Sequence, residues 1–237
     1  MPLFEELDYQ PTPLGVLTLR RRRVLSLDRD VVEVKLGEEH LMSDLFTAGE
    51  VALADLGLAA ARGETLDVAV GGLGLGYTAR AALADPRVSA LMVIEALGPV
   101  IAWHRDGLLP IGDELAASRR CELVEGDFFA LAAAGHLDPT RPSRRFDAVL
   151  LDIDHSPSRV LNPGNAALYA PGGMARLAGC LKPGGVFALW SDDLPDEDFL
   201  AVLRTVFDDV SAEVVGFDNP MDGEPLTNAV YIARARA

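Results

Sequence analysis

Apolar positions in this chain first alternate with polar ones, then gather into short continuous runs. The alternation lies in "GVLTLRRRRVLSLDRDVVEVKLG". It predicts three short strands, Gly15–Leu19, Val24–Leu27 and Val31–Leu36, with a turn at Asp28–Asp30. A helical stripe follows, Leu45, Ala48, Ala52 and Leu56, with Ser43 or Asp44 as its cap. From Leu66 the runs predict strands at Leu66–Val70, Ala90–Glu95, Cys121–Val124, Asp147–Asp152, Val186–Ser191, Ala212–Gly216 and Ala229–Ala233. Helices are predicted between them, at Tyr77–Leu83, Pro99–Asp106, Phe128–Ala134, Ala166–Cys180 and Asp196–Phe207. Strands this apolar cannot be wetted on one face. The pattern therefore predicts an α/β fold, a doubly wound, mostly parallel seven-stranded sheet of Rossmann-like type, covered by helices on both sides. A small N-terminal β-ribbon, residues 1–42, is expected to precede a catalytic domain, residues 43–237. Ligands of such sheets bind at the carboxyl ends of the strands, near the switch in strand order. "DPTRPSRR" and "HSPSRVLNPGN" read as loops, and the second lies where a lid would sit.

Composition narrows the class. The 237 residues suffice for one large domain, or for one domain with a small appendage, and the 49% apolar content supports a full core. No apolar run approaches the ~20 residues that span a bilayer. "MPLFEELDYQPTPLG" carries acids where a signal peptide carries bases, so a cytoplasmic protein without membrane attachment is expected. Two distant cysteines and four scattered histidines give neither a disulfide framework nor a zinc signature, and no metal is expected. A net charge of −15 argues against nucleic acid as a partner and permits a cationic substrate. Arg20 to Arg23 run against that trend. They fit a phosphate patch, or, as favoured here, an exposed ribbon whose arginines pair with acids.

The chemistry gathers at the predicted strand ends. "GGLGLGYTA" places Gly72, Gly74 and Gly76 in a strand-to-helix turn. Gly74 to Ala79 formally fits the dinucleotide pattern GxGxxG/A, with Glu95 as the acid about 20 residues on. A phosphate P-loop is excluded, because no Gly-Lys-Ser/Thr closes the turn. A nucleoside turn is the third reading. Glu95 ends the second strand, where a carboxylate can accept from both ribose hydroxyls. Asp127 and Phe128 end the third, where an acid can accept from an adenine amino group while a ring lies against the base. Asp127 has a second reading as the cap of the helix from Phe128. "DIDHSP" ends the fourth strand, and "LKPGG" leads into the fifth. A dinucleotide leaves these last segments without a role; a sulfonium nucleoside uses them.

With "VIEALGPVIAWHR", "ELVEGDFF", "FDAVLLDIDHSP" and "GEPLTNAVYIA", this set resembles class I S-adenosylmethionine-dependent enzymes. Within them it is similar to the spermidine synthase-like aminopropyltransferases, over roughly Val31 to Ala233. The resemblance implies a class I methyltransferase-type fold and a homodimer. It implies aminopropyl transfer from decarboxylated S-adenosylmethionine to a polyamine. Gly72, Gly74, Gly76, Glu95, Asp127 and Phe128 would hold the co-substrate. Asp152 or Asp154 would hold the acceptor ammonium and take its proton. Asp192 and Asp193 would hold a distal amine. Glu50, in "LFTAGE", would match the acid of the family's Tyr-Gln/His-Glu motif, and His155 to Tyr169 would form the loop over the substrate, His155 and Tyr169 among its contacts.

The chain departs from the family where Gly74 or Leu75 replaces the acid of the glycine turn. A helix start with free N–H groups suits the carboxylate of ordinary S-adenosylmethionine. Methyl transfer from S-adenosylmethionine to a small acceptor is therefore the alternative. A catalytically silent nucleoside-binding protein of the same fold is the second alternative. Asp67 reads as structural, Trp103 and Trp190 as core or pocket wall, and His40 and His104 as surface or satisfied histidines.

Overall fold

The computed structural model describes residues 3–236. Its first four strands, β1 (Phe4–Thr12), β2 (Gly15–Val24), β3 (Arg29–Leu36) and β4 (Glu39–Ser43), form an antiparallel sheet in chain order. The expected ribbon therefore gains a strand at each side. The expected strand Val24–Leu27 is absent: Val24 ends β2, paired with Arg29, and Leu25–Leu27 is one 3-10 turn. β2 runs unbroken through the four arginines, because each finds a partner on a neighbouring strand or turn. Arg21 meets Glu5 at 3.1 Å, Arg22 meets Glu33 at 2.7 Å, and Arg23 meets Asp30 at 3.2 Å and also Asp28. Arg20 lies over the Phe4 ring.

Helix α1 (Ala48–Ala60) starts later than the stripe suggested, and neither Ser43 nor Asp44 caps it. Ser43 ends β4, and Asp44 instead accepts from the Val32 amide at 3.0 Å. The buried face of α1 is Gly49, Leu53, Ala54, Gly57 and Leu58, not the expected stripe. Gly57 lets the helix settle on the sheet, since a Cβ there would press on Leu150 and Ala188.

The second sheet comprises β5 (Leu66–Gly71), β6 (Val88–Glu95), β7 (Cys121–Glu125), β8 (Phe146–Leu151), β9 (Leu181–Ser191), β10 (Asp208–Asp218) and β11 (Pro225–Arg234). Its order is β10-β11-β9-β8-β5-β6-β7, with β5 to β9 parallel and the β9–β11 and β10–β11 pairs antiparallel. The connections include α2 (Tyr77–Ala84), α3 (Gly98–Arg105), α4 (Gly112–Ala117), α5 (Phe128–Ala133), α6 (Pro171–Ala178) and α7 (Glu197–Val206). The expected helix Ala166–Cys180 is broken into a 3-10 turn, Pro163–Ala167, and α6. Pro171 has no N–H to continue the earlier turn and starts α6 instead.

Both faces of the central strands are dry. Val68, Val70 and Leu150 join one buried cluster, while Ala69, Val149 and Leu151 join the other. Leu17, Leu19, Val32 and Val34 of the small sheet share the first cluster with Leu53, Leu66 and Trp103. The Trp103 indole N–H also donates to Asp8 of β1 at 2.6 Å. The small sheet is thus packed onto the large one beside its carboxyl edge.

Candidate active site

Strand order reverses between β5 and β8, which opens the crevice at their carboxyl ends. Gly72 follows β5 with φ +93, and a Cβ there would strike the Asp152 carbonyl oxygen. Gly76, φ +92, lies 2.6–2.7 Å, measured from such a Cβ, from Leu115 and His104. Gly74, φ +48, faces the Met42 sulfur of β4. These glycines are required by neighbouring protein atoms as well as by any ligand. Met42 occupies the space into which a side chain at Gly74 would grow.

The turn's amides are engaged. Leu73 N–H donates to Glu95 Oε2 at 3.0 Å, Leu75 N–H to Met42 sulfur at 3.2 Å, and Gly76 N–H to the Leu73 carbonyl at 2.8 Å. These bonds lie within the turn; at the start of α2 the Tyr77, Thr78 and Ala79 N–H groups have no acceptor among the described residues, as the helix start was expected to offer. Buried His104 reads the same turn, its Nε2 2.9 Å from the Gly74 carbonyl.

Glu95 ends β6 and spans two loops, accepting also from Leu97 N–H at 2.8 Å. Burial raises its carboxyl against these hydrogen bonds. Two amide bonds leave lone pairs on each oxygen for further donors. Asp127 caps α5 through Oδ1, from Phe129 N–H at 2.9 Å and Ala130 N–H at 3.1 Å, and is exposed. Its Oδ2 makes neither bond. Phe128 is 1% exposed and packs on Gly71, so its ring is core and not a plate for a base. The half-buried Phe129 is the aromatic that borders a cleft of about 260 Å³, lined also by Asp127, Asn162, Asn165 and Arg176.

Asp152 follows β8, held by its N–H to the Gly71 carbonyl at 2.8 Å. Its Oδ2 accepts from the Thr78 hydroxyl of α2 at 2.5 Å. Glu50, in the first turn of α1, is close enough to feel the Asp152 charge. Burial pushes Asp152 up to about 6, against the Thr78 bond. Burial, then the charge already on Asp152, pushes Glu50 up to about 8. Both carboxyls are therefore held above the usual carboxylate range, by burial first and for Glu50 by the Asp152 charge as well.

Asp154 is not beside Asp152. It is 1% exposed and accepts from Leu161 N–H at 2.7 Å, Asn165 at 2.9 Å and the Tyr169 hydroxyl at 2.8 Å. Its role is to fold the segment 155–169, because three donors consume a carboxylate that water cannot reach. Tyr169, 6% exposed, is fixed by that bond and does not close over the crevice. His155 Nε2 meets Glu39 of β4 at 2.9 Å, tying this loop to the small sheet.

Asp192 and Asp193 follow β9, and both are held by Arg159. Its Nε and NH2 meet Asp193 at 2.9 and 2.8 Å, and NH2 meets Asp192 at 2.8 Å. The Arg159 guanidinium holds the Asp193 carboxyl below the usual carboxylate range. Asp67, as expected, is structural, paired with Arg144 at 2.7 Å.

Sequence reasoning did not single out Thr78, Met42, Glu39 or Arg159. Arg159 carried a weak signal as the lone base of "HSPSRVLNPGN"; the other three become visible only when distant segments meet. Among the described residues, no group of three or more His, Cys, Asp or Glu is arranged for a metal, and no helix is long and apolar enough to cross a membrane.

Comparison with known proteins places this arrangement in context. The structure of spermidine synthase from Thermotoga maritima matches with a TM-score of 0.70 and 16% identity, over 97% of this chain and 72% of that one. A spermidine synthase in complex with the transition state analogue AdoDATO matches with a TM-score of 0.72 and 17% identity, over 97% and 73%. No family model matches the chain. The chain has a spermidine synthase-like fold, with a seven-stranded, mostly parallel sheet and a small antiparallel N-terminal sheet.

Proposed function

On the premise of that fold, we propose that the chain is a transferase that moves an aminopropyl group from decarboxylated S-adenosylmethionine to a small amine. The observation that carries this reading is the Glu50–Asp152 pair at the carboxyl edge of the central strands. Two half-buried acids whose carboxyls are raised above the usual range are relieved by a cation, and an ammonium is the cation this chemistry supplies. An acceptor amine, with an ordinary pKa near ~10, must lose a proton before its nitrogen can attack. Asp152, steadied by Thr78, holds the ammonium and receives that proton. The nitrogen lone pair then forms the new C–N bond, the C–S bond breaks, and its electrons return to sulfur as methylthioadenosine leaves. Glu50, the acid of the two that is protonated near neutrality, offers its carboxyl oxygen to keep the amine in line. On the nucleoside side, Glu95 is the candidate ribose acceptor, and the free oxygen of Asp127 the candidate adenine acceptor.

Methyl transfer from S-adenosylmethionine is the second reading, favoured by the absence of an acid at Gly74–Leu75. The Leu73 and Leu75 amides are engaged by Glu95 and Met42, which leaves the first N–H groups of α2 for the carboxylate of that co-substrate. The homodimer implied by the resemblance and the cytoplasmic location expected from the N-terminal residues belong to the same proposal.

Calorimetry with methylthioadenosine, S-adenosylmethionine and its decarboxylated form tests the reading. It is followed by incubation of the decarboxylated form with n-butylamine or putrescine, scored by methylthioadenosine release. Binding confined to S-adenosylmethionine overturns aminopropyl transfer.

A further inference from the structure

Deepening the transferase reading, on which it rests, the next inference concerns the acceptor's charge. Near the ends of β8 and β9 the acids fall into two groups. Glu39 is met by His155, Asp154 by three donors, and Asp192 and Asp193 by Arg159. Neither Glu50 nor Asp152 forms an ion pair among the described residues, and the partner of Asp152 is the neutral Thr78 hydroxyl.

The Arg159 contact is half exposed, its side chains 45–49% accessible, and the backbone fixes both sides of it. Arg159 sits in a tight turn, its N–H 3.1 Å from the Ser156 carbonyl, and the Ser156 N–H returns to the Arg159 carbonyl at 3.3 Å. The Asp192 N–H is held by the His155 carbonyl at 2.7 Å, and the Asp193 N–H by the Ser191 hydroxyl at 3.2 Å. The guanidinium forks across both oxygens of Asp193 while reaching Asp192. Such bidentate geometry is the strong form of the interaction. Asp192 also lies 3.5 Å from the Asn228 amide, and Asn228 and Trp190 both close on Gly49, next to Glu50. Asn228 thus links Asp192 to the start of α1, where Glu50 stands.

We propose that Arg159 stands where the second ammonium of a diamine would bind, so that the acceptor presents a single cationic nitrogen to Glu50 and Asp152. The substrate class is then a monoamine with an apolar body, in contrast to the polyamine expected from the resemblance. An arginine on the same chain outcompetes a free ammonium because its effective concentration is high.

The test titrates n-butylamine and putrescine into the full chain saturated with methylthioadenosine, for wild type, Arg159→Ala and Arg159→Lys. Wild type is expected to bind n-butylamine at least as tightly as putrescine. Arg159→Ala frees two acids, and putrescine is expected to gain about tenfold over n-butylamine, as for one charge-assisted hydrogen bond. Arg159→Lys keeps the cation and the wild-type order. Methylthioadenosine affinity within about twofold of wild type reports that each variant is folded. A clear putrescine preference in wild type, or an unchanged ratio in Arg159→Ala, overturns this inference and leaves the transferase reading standing. Failure of both amines to bind any variant that binds methylthioadenosine overturns the two together.

Discussion

Glu50→Gln removes one charge from the acid pair and keeps its shape. Glu50 is partly buried in the first turn of α1, and burial together with the Asp152 charge moves it from its ordinary 4.5 to about 8. The folded chain therefore holds this proton more tightly than the unfolded chain does. Stability from Glu50 is full below the ordinary carboxylate range and declines as pH rises through about 8. At about 1.4 kcal/mol per tenfold change in proton affinity, the decline has an upper limit of about 4 kcal/mol at pH ~8. Water at the partly open rim, and relaxation of the pair, reduce this to about 2 kcal/mol. For a chain of this length that is about 4–8 °C in Tm. Thermal unfolding followed by circular dichroism from pH ~5 to ~8 is the assay. Glu50→Gln should match wild type at the acid end and exceed it by that amount at the basic end. Parallel Tm curves for the two proteins across the range would show that Glu50 does not feel a second charge, and the acid-pair argument would be wrong.

Asp152→Asn should abolish amine-dependent release of methylthioadenosine while leaving nucleoside affinity within a fewfold. Unchanged turnover removes Asp152 from the proposed mechanism. Tyr169→Phe should cost about 1.5–3 kcal/mol in urea unfolding, because it takes a hydrogen bond from the buried charge of Asp154. A cost under about 0.5 kcal/mol would mean that Asp154 does not organise the 155–169 segment. Gly72→Ala should lose about 2–4 kcal/mol, combining φ +93 with the approach of the Asp152 carbonyl, and a neutral result in the same unfolding assay would refute that close contact.

What the chain's own order of residues determined is the local pattern. Apolar runs such as "LDVAV" and "FDAVLL" are too short and too uniformly dry for anything but buried strands. Punctuated by helical segments, they give β5 to β8 closely, whereas β9, β10 and β11 begin well before the expected Val186, Ala212 and Ala229. The glycine turn and the acids at strand ends were legible for the same reason, since their place follows from the strand they close. Pro171 and the α1 face were not, because the preferred helical stripe depends on which neighbour the helix meets, and α1 meets the sheet through Gly49, Leu53 and Gly57.

Tertiary structure alone decided what each acid does. Asp152 and Asp154 are two positions apart in one motif, yet one lies near Glu50 and the other is sealed under Tyr169. Asp192 and Asp193 look like a cation site until Arg159, brought over by a turn of the preceding loop, occupies them. Met42 arrives at Gly74 from a different sheet. Side-chain charge is written in the sequence, but its partner is set by long-range packing, and in a low-dielectric crevice the partner fixes the chemistry.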